Sequence, residues 1–457
     1  MRTNTAVRDT HRHVTHEGAP ATRASAVDEL RRTVMTCMLW EDTFYEEGVA
    51  ITERLADLVG RCTDAQVVAV AEQARNQMGI RHAALWLAVM LFEQKRPAAG
   101  ERALGAVLRR ADEPAEVLAL WFKNGRRPVP YAMRRGLTAA LRTFDAYQLA
   151  KYDHARSAIR LRDLLRLIHA KPHGAAQAAL WRLAVKDELP VPDTWEVAIS
   201  AAGSDPDAKR ETWARLVRER KLGGLALVRN LRNLQQAGVP TAEVAAAIDE
   251  AQFARMWPFQ FVAAWQHAPD YAVPLEAAML RALAGLPRLL GTTAVLVDVS
   301  GSMVGTPVSA RSKMDRLHAA AGVAMAAREL CDRPRIFAFG TGVSEIERPP
   351  SGFQLLNAIR QSPHYNGGTR LGEAVRTVME TGPRRLIVIS DEQTSDQVTP
   401  PGRDCLAWMI NVAPYQHGVS YRDGWNRVDS WSSQVLRYIA QSEGLDAREG
   451  DEQGDGA

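Results

Sequence analysis

Cysteine is scarce in this chain of 457 residues: Cys37, Cys62, Cys331 and Cys405 stand far apart, with no Cys-x-x-Cys pair and no Cys/His cluster. That spacing argues against a disulfide framework and against a zinc knuckle. Long apolar runs are lacking too. The longest, Ala83 to Phe92, is about half of what spans a bilayer, and the stretch Met1 to His16 holds no apolar core of a signal peptide. A cytoplasmic location without membrane contact is therefore expected. Charge of one sign is not in excess: 57 Lys and Arg against 53 Asp and Glu leave a net +4. With 46% hydrophobic and 24% charged residues, the composition is that of an ordinary globular protein. The marks of several catalytic sites are missing as well. There is no Gly-x-x-x-x-Gly-Lys-Ser/Thr, no His-Glu-x-x-His and no Gly-x-Ser-x-Gly, so a protein that is not an enzyme is expected.

What is present divides the chain in two, as its length requires. Residues 1–23 mix His, Pro, Gly and Thr without periodicity and read as a flexible arm, whose His11, His13 and His16 are solvated side chains rather than metal ligands. From residue 24 to residue 287 the pattern is helix after helix. Leu30, Val34, Cys37 and Met38, and again Leu161, Leu164, Leu165 and Ile168, recur at helical spacing and each set buries one face. Breakers such as Gly79, Pro97, Pro128, Pro172 and Gly238 separate the segments. So many short helices suggest paired, irregular HEAT-like repeats, because no strict repeat length is visible. The tail from 444 to 457 is acidic and Gly-rich and predicts disorder.

Residues 288–443 change character. Apolar runs predict buried strands near Thr292–Val297, Arg335–Phe339, Arg385–Ser390 and Leu406–Asn411, alternating with helices near Leu317–Cys331 and Leu371–Met379. Asp298-Val-Ser300-Gly-Ser302 follows the first run, Thr369 ends Asn-Gly-Gly-Thr, and Asp391 follows Leu386-Ile-Val-Ile-Ser390. Five oxygen side chains from three loops can thus meet beyond the carboxyl ends of parallel strands, where ligands of α/β sheets collect. Hydroxyls and carboxylates are hard ligands, so the metal expected is divalent, magnesium above all. Alone, Asp-x-Ser-x-Ser is also a polar turn or helix cap. Two Asp among three hydroxyls would bridge a metal pair poorly, which argues against two-metal nuclease chemistry. Glu392 is expected to be peripheral. The set resembles the metal-ion-dependent adhesion site of von Willebrand factor A domains, with Asp298, Ser300, Ser302, Thr369 and Asp391 as the matching residues. In that family a partner's carboxylate completes the metal's coordination, so the resemblance implies a docking device on a Rossmann-like domain.

Between Trp121 and Lys171 there are twelve Lys and Arg against three Asp, a formal +9. Such a stretch attracts phosphates. Tyr131, Phe144, Tyr147, Tyr152 and His169 are interleaved with it and offer planes for stacking unpaired bases. A solvated basic face over core aromatics fits the composition equally well. The phrases Arg31 to Tyr45, Tyr147 to Tyr152, Arg162 to Pro172, Leu227 to Asn233 and Pro258 to Phe261 resemble the TROVE module of the Ro ribonucleoprotein family, whose bacterial members are called Rsr. That resemblance implies a mainly α protein. Its HEAT-like helical ring is closed by the von Willebrand A domain, and it takes single-stranded 3′ ends of misfolded RNA and small noncoding Y RNAs. It points to His169 and Lys171 first as RNA contacts, then to Lys151, Arg156, Arg160 and Arg162. Arg229, Asn230 and Arg232 either face RNA or join neighbouring repeats. The family implies work in RNA quality control beside an exoribonuclease or RNA-repair proteins, and a monomer is expected. The competing expectation is a metal-dependent protein-interaction scaffold that binds no RNA.

Overall fold

The computed structural model describes residues 14–21, 25–36, 47–123, 125, 127–153, 157–192, 194–253, 256–305, 307–308, 314–399, 401–415, 417–420, 424–430 and 434–445. Arg156, Arg126, His11, His13, Cys37, Met38 and the acidic tail lie outside them. The chain forms two compact units. One holds residues up to Ile51, Phe253–Gln266 and everything from Leu275 on; the other holds Thr52–Gln252 and His267–Pro274.

The second unit is built from short helices, as the spacing of breakers predicts. The most apolar segment is the helix His82–Glu93, whose residues Ala83 to Phe92 are all buried. A helix apolar all round belongs in the middle of a layered packing, and this one lies against Pro97–Val107 and Glu113–Lys123. Gly100 permits that approach, since a Cβ there would stand 2.6 Å from the Phe92 ring. Further along, Ala146–Tyr152 starts at a capping box in which Asp145 and Gln148 satisfy each other's backbone N–H. The helix Leu161–Leu167 buries Leu161, Leu164 and Leu165, the stripe that its periodicity predicts. No helix among the described residues is long and apolar enough to cross a membrane.

The first unit centres on a sheet of six strands: β1 (Leu289–Asp298), β2 (Cys331–Phe339), β3 (Val343–Glu345), β4 (Arg385–Ser390), β5 (Leu406–Asn411) and β6 (Asn426–Asp429). Their order is β3-β2-β1-β4-β5-β6, parallel except for β3. Four of the six match the apolar runs of the sequence. The edge strands β3 and β6 escape that reading because they are short and only partly apolar. Ala294, Leu296, Phe337, Leu386, Val388 and Met409 pack with Leu371, Val375 and Val378 of the helix Leu371–Met379 in one core cluster. The helix Arg316–Leu330 is buried along nearly its whole length and packs on β1 and β2. From β1 the chain runs first to β2 and later to β4 on the other side, so the strand order reverses beside β1. That reversal opens the crevice in which such sheets bind ligands.

Also in this unit is the helix Ala26–Thr36, which packs against β6. Arg427 bonds Asp28 at 2.9 Å. Residues 14–20, read from sequence as part of a flexible arm, form a turn that lies on the loop after β4: the Thr15 hydroxyl donates to the Thr394 carbonyl at 2.6 Å, and the His16 N–H to Gln393 Oε1 at 2.7 Å.

Candidate metal centre and nucleic-acid interface

The register of the sheet assembles the metal loops. Val297 of β1 pairs with Ile389 of β4, so the next residue on each strand, Asp298 and Ser390, stand side by side. The Ser390 hydroxyl donates to Asp298 Oδ2 at 2.6 Å, and the Ser300 N–H to Oδ1 at 2.9 Å. The second loop is stitched to the first by Gly301 N–H to the Gly367 carbonyl at 2.9 Å and Asn366 N–H to the Val299 carbonyl at 2.7 Å. The third is stitched to the second through the Thr369 carbonyl, which accepts from the Ser395 N–H at 2.9 Å and the Ser395 hydroxyl at 2.7 Å. Asp396 then caps the helix Leu371–Met379, accepting from the N–H groups of Gly372 and Glu373 at 2.9 and 2.7 Å. Gly372 has to be glycine for this approach, since a Cβ would lie 2.1 Å from the Gln397 carbonyl oxygen.

All five predicted ligands are therefore held on three mutually bonded loops of one unit, and all are buried: Asp298 and Asp391 completely, Ser300, Thr369 and Ser302 to within 3%. Ser300 Oγ and Ser302 Oγ are 3.3 Å apart. Burial, then the neighbouring Asp391 charge, pushes the Asp298 carboxyl up to about 7. Burial likewise raises Asp391. Asp391 Oδ1 accepts from the Gln393 N–H at 3.0 Å, whereas Oδ2 is buried with no hydrogen-bond partner. A buried carboxylate oxygen in that condition is costly. Two buried carboxylates, one with an orphaned oxygen, on loops that also carry the hydroxyls of Ser300, Ser302 and Thr369, fit a hard divalent cation. Among the described residues no group of three or more His, Cys, Asp or Glu is arranged to hold a metal ion.

Glu392 stands apart from the metal loops' donors: it is fully buried with backbone φ of +61°, and its carboxylate turns away to meet Arg32 Nη1 at 2.6 Å. Arg32 also donates to the Tyr415 carbonyl at 2.7 Å, and the Ser420 N–H donates to Glu392 Oε2 at 2.9 Å. Burial would raise the Glu392 carboxyl, but the Arg32 guanidinium, the hydrogen bonds from Ser420 and the Arg427 charge together outweigh it and hold the group low. Sequence reading also missed Ser390, Asp396 and Arg32. Ser390 was legible as the last residue of a predicted strand, but nothing local marks Arg32, which lies 360 positions from Glu392.

The basic stretch lies in the helical unit. Lys151 is half-buried on the helix Ala146–Tyr152, its Nζ 5.9 Å from the Tyr147 ring centroid and 5.7 Å from that of Tyr152. Arg160 is the N-cap of Leu161–Leu167 and pairs with Asp153 at 3.1 Å and Asp187 at 2.7 Å. Arg162 joins the same Asp187. His169 and Lys171 are exposed beyond the other end of that helix, a length of about 10 Å at about 1.5 Å per residue. His169 has a left-handed φ of +52°, and the Lys171 carbonyl accepts from Arg142 at 2.8 Å. Phe144 is core, while Tyr131 and Tyr147 are 70% and 50% exposed. Arg135 stands over Tyr131 at 5.7 Å and is itself paired with Glu101. The formal +9 is thus reduced by Asp187 and Glu101, acids that lie outside the stretch in sequence. Asn230 is buried and spent on Ala226 and Asn233, while Arg229 and Arg232 are exposed.

Known proteins agree with this division. A family model of the TROVE domain matches residues 182–283, and one of the von Willebrand factor type A domain matches residues 293–393. The chain thus defines a class: a TROVE domain ahead of a type A domain. In fold it is similar to the crystal structure of the RO (RSR) protein of Deinococcus radiodurans, with a TM-score of 0.58 and 19% identity over 92% of this chain and 100% of that one. Curated proteins gave no match.

Proposed function

We propose that the chain is a non-enzymatic RNA-binding protein of the Ro type. Its ligands are small noncoding, Y-like RNAs and the single-stranded 3′ ends of misfolded RNA, and its role is cytoplasmic RNA quality control as a monomer beside an exoribonuclease or RNA-repair proteins. RNA binding falls to residues 24–287, and residues 288–443 carry a magnesium-dependent docking site for a protein.

The observation that carries the RNA reading is the TROVE match together with exposed rings and cations in the stretch from Tyr131 to Lys171. Tyr131 and Tyr147 are exposed, each beside a cation, and His169 and Lys171 lie open to solvent. Rings of this kind stack on unpaired bases of any sequence while the cations meet phosphate. Lys171 and His169 are the foremost contacts. Lys151 supports them, while Arg160 and Arg162 serve through a shared Asp187 that must share them with phosphate.

In the docking site Asp298, Ser300, Ser302, Thr369 and Asp391 hold the ion, and Ser390 and Asp396 keep Asp298 and the third loop in place. Magnesium held by these residues would supply a concentrated positive charge that attracts an anionic oxygen of a partner. The test is a filter-binding titration of a structured RNA with and without a single-stranded 3′ extension, across a salt series, with magnesium or EDTA. Tighter binding of the extended RNA, weakening steeply with salt and indifferent to EDTA, is expected. Failure to bind RNA at low salt, with a protein partner lost on chelation, would replace this reading by the protein scaffold.

A further inference from the structure

Arg316 opens the helix Arg316–Leu330, directly after its cap Asp315. It is only 5% exposed, and its Nε and Nη1 are buried with no acceptor. The guanidinium lies 5.7 Å from the centroid of the Tyr415 ring. Arginines taken out of water are nearly always paired. Its neighbour in the same unit obeys that rule, since Arg32 is closed off by Glu392 and the Tyr415 carbonyl. Asp315 cannot serve Arg316, because its two oxygens accept from Gly305 and His318. Across the metal loops Asp391 Oδ2 is in the same state, buried without a partner. The Arg316 charge is among those that lower the Asp391 carboxyl, so the two groups share one electrostatic site without bonding to each other.

The charges say what is missing. A divalent ion would balance Asp298 and Asp391, and Glu392 balances Arg32 at 2.6 Å. What remains is the Arg316 guanidinium, whose Nε and Nη1 have no hydrogen-bonded counter-charge, since the neighbouring Asp315 is taken up by Gly305 and His318. That remainder matches a single carboxylate and not a run of phosphates, whose several charges would meet the buried acids of these loops. We propose that Arg316 is a specificity-determining residue of the metal site, placed to donate hydrogen bonds to the carboxylate of an acidic protein partner. The proposal rests on the metal-docking reading above and adds to it the group that selects the partner's anion.

The test uses the full-length chain, manganese(II), whose free-ion electron paramagnetic resonance signal reports binding directly, and a short glutamate-rich peptide as probe. Wild type, Arg316→Lys and Arg316→Met are compared. All three bind manganese. The peptide tightens manganese binding to wild type by about tenfold, the size of one charge-assisted hydrogen bond, less with Arg316→Lys, and not at all with Arg316→Met. Arg316→Met also raises the melting temperature of the ligand-free chain, because it replaces an unpaired buried charge by an apolar side chain. A guanidinium that merely props the helix would give a lower one. Tightening that survives in Arg316→Met, or a melting temperature that falls, overturns the proposal. So does an RNA oligonucleotide that tightens manganese binding where the peptide fails to. A wild-type chain that binds no manganese defeats the docking reading itself, and this inference with it; manganese binding with unaltered tightening defeats only the role of Arg316.

Discussion

Asp298 and Asp391 face each other across loops that exclude water, and their ionisation is the most consequential titration in the molecule. Burial first, and the Asp391 charge second, push Asp298 up to about 7 from 3.8. Between those values the folded chain keeps a proton that the unfolded chain releases, so the ion-free protein loses stability as pH rises through that window. The same proton competes with magnesium. Affinity for magnesium should therefore climb as pH is raised towards 7 and level off above it, with proton uptake into buffer during binding below 7. Calorimetric titration at several pH values checks this, and a profile flat from pH 5 to 8 would count against Asp298 as a ligand. That the loops bearing these five residues come together was legible in the sequence because each follows a recognisable strand or a Gly-Gly pair. Arg316 and Arg32 carry no such mark, since an Arg in a helix is a common surface residue until burial is known.

The helix Ala26–Thr36 belongs with the sheet, a fact its own residues conceal. Its apolar positions Leu30 and Val34 announce a helix with one buried face but cannot say which face of the molecule receives it. The helix is received through its own Arg32, which pairs with the buried Glu392, with Gly418 giving the pair room: a Cβ there would stand 2.6 Å from Arg32 Nη1 and 2.5 Å from Glu392 Oε2. Breaking such a pair from one side leaves a buried charge unmatched and costs about 3–5 kcal/mol. Arg32→Met should lower the urea midpoint accordingly, and adding Glu392→Leu should restore much of it. Magnesium affinity in Arg32→Met should fall as well, because Glu392 follows Asp391 directly. Unchanged stability in the single variant would mean that the helix is not anchored by this pair. Strands show the same lesson in reverse. β1, β2, β4 and β5 were legible as continuous apolar runs, whereas β3 and β6 form because neighbouring edges need partners, which no local pattern records.

The whole chain divides its chemistry between the two units: cations and exposed rings in the helical one, buried acids and hydroxyls in the one with the sheet. Each should be separately erasable. Lys171→Glu should weaken RNA binding alike for all sequences and reduce the slope of log affinity against log salt by about one, leaving magnesium binding as it was. Asp298→Ala should do the opposite, and equal losses of RNA binding from both would end the division. The same layout sets a timetable for synthesis. Asp28 meets Arg427, 399 positions away, and at roughly 5–20 residues per second the ribosome needs on the order of 20–80 s to span that distance. The helix that completes the sheet unit is thus made long before the residues that seat it. Throughout that interval Arg32 has no Glu392 to meet, so the nascent chain depends on staying soluble with an unclaimed amphipathic helix.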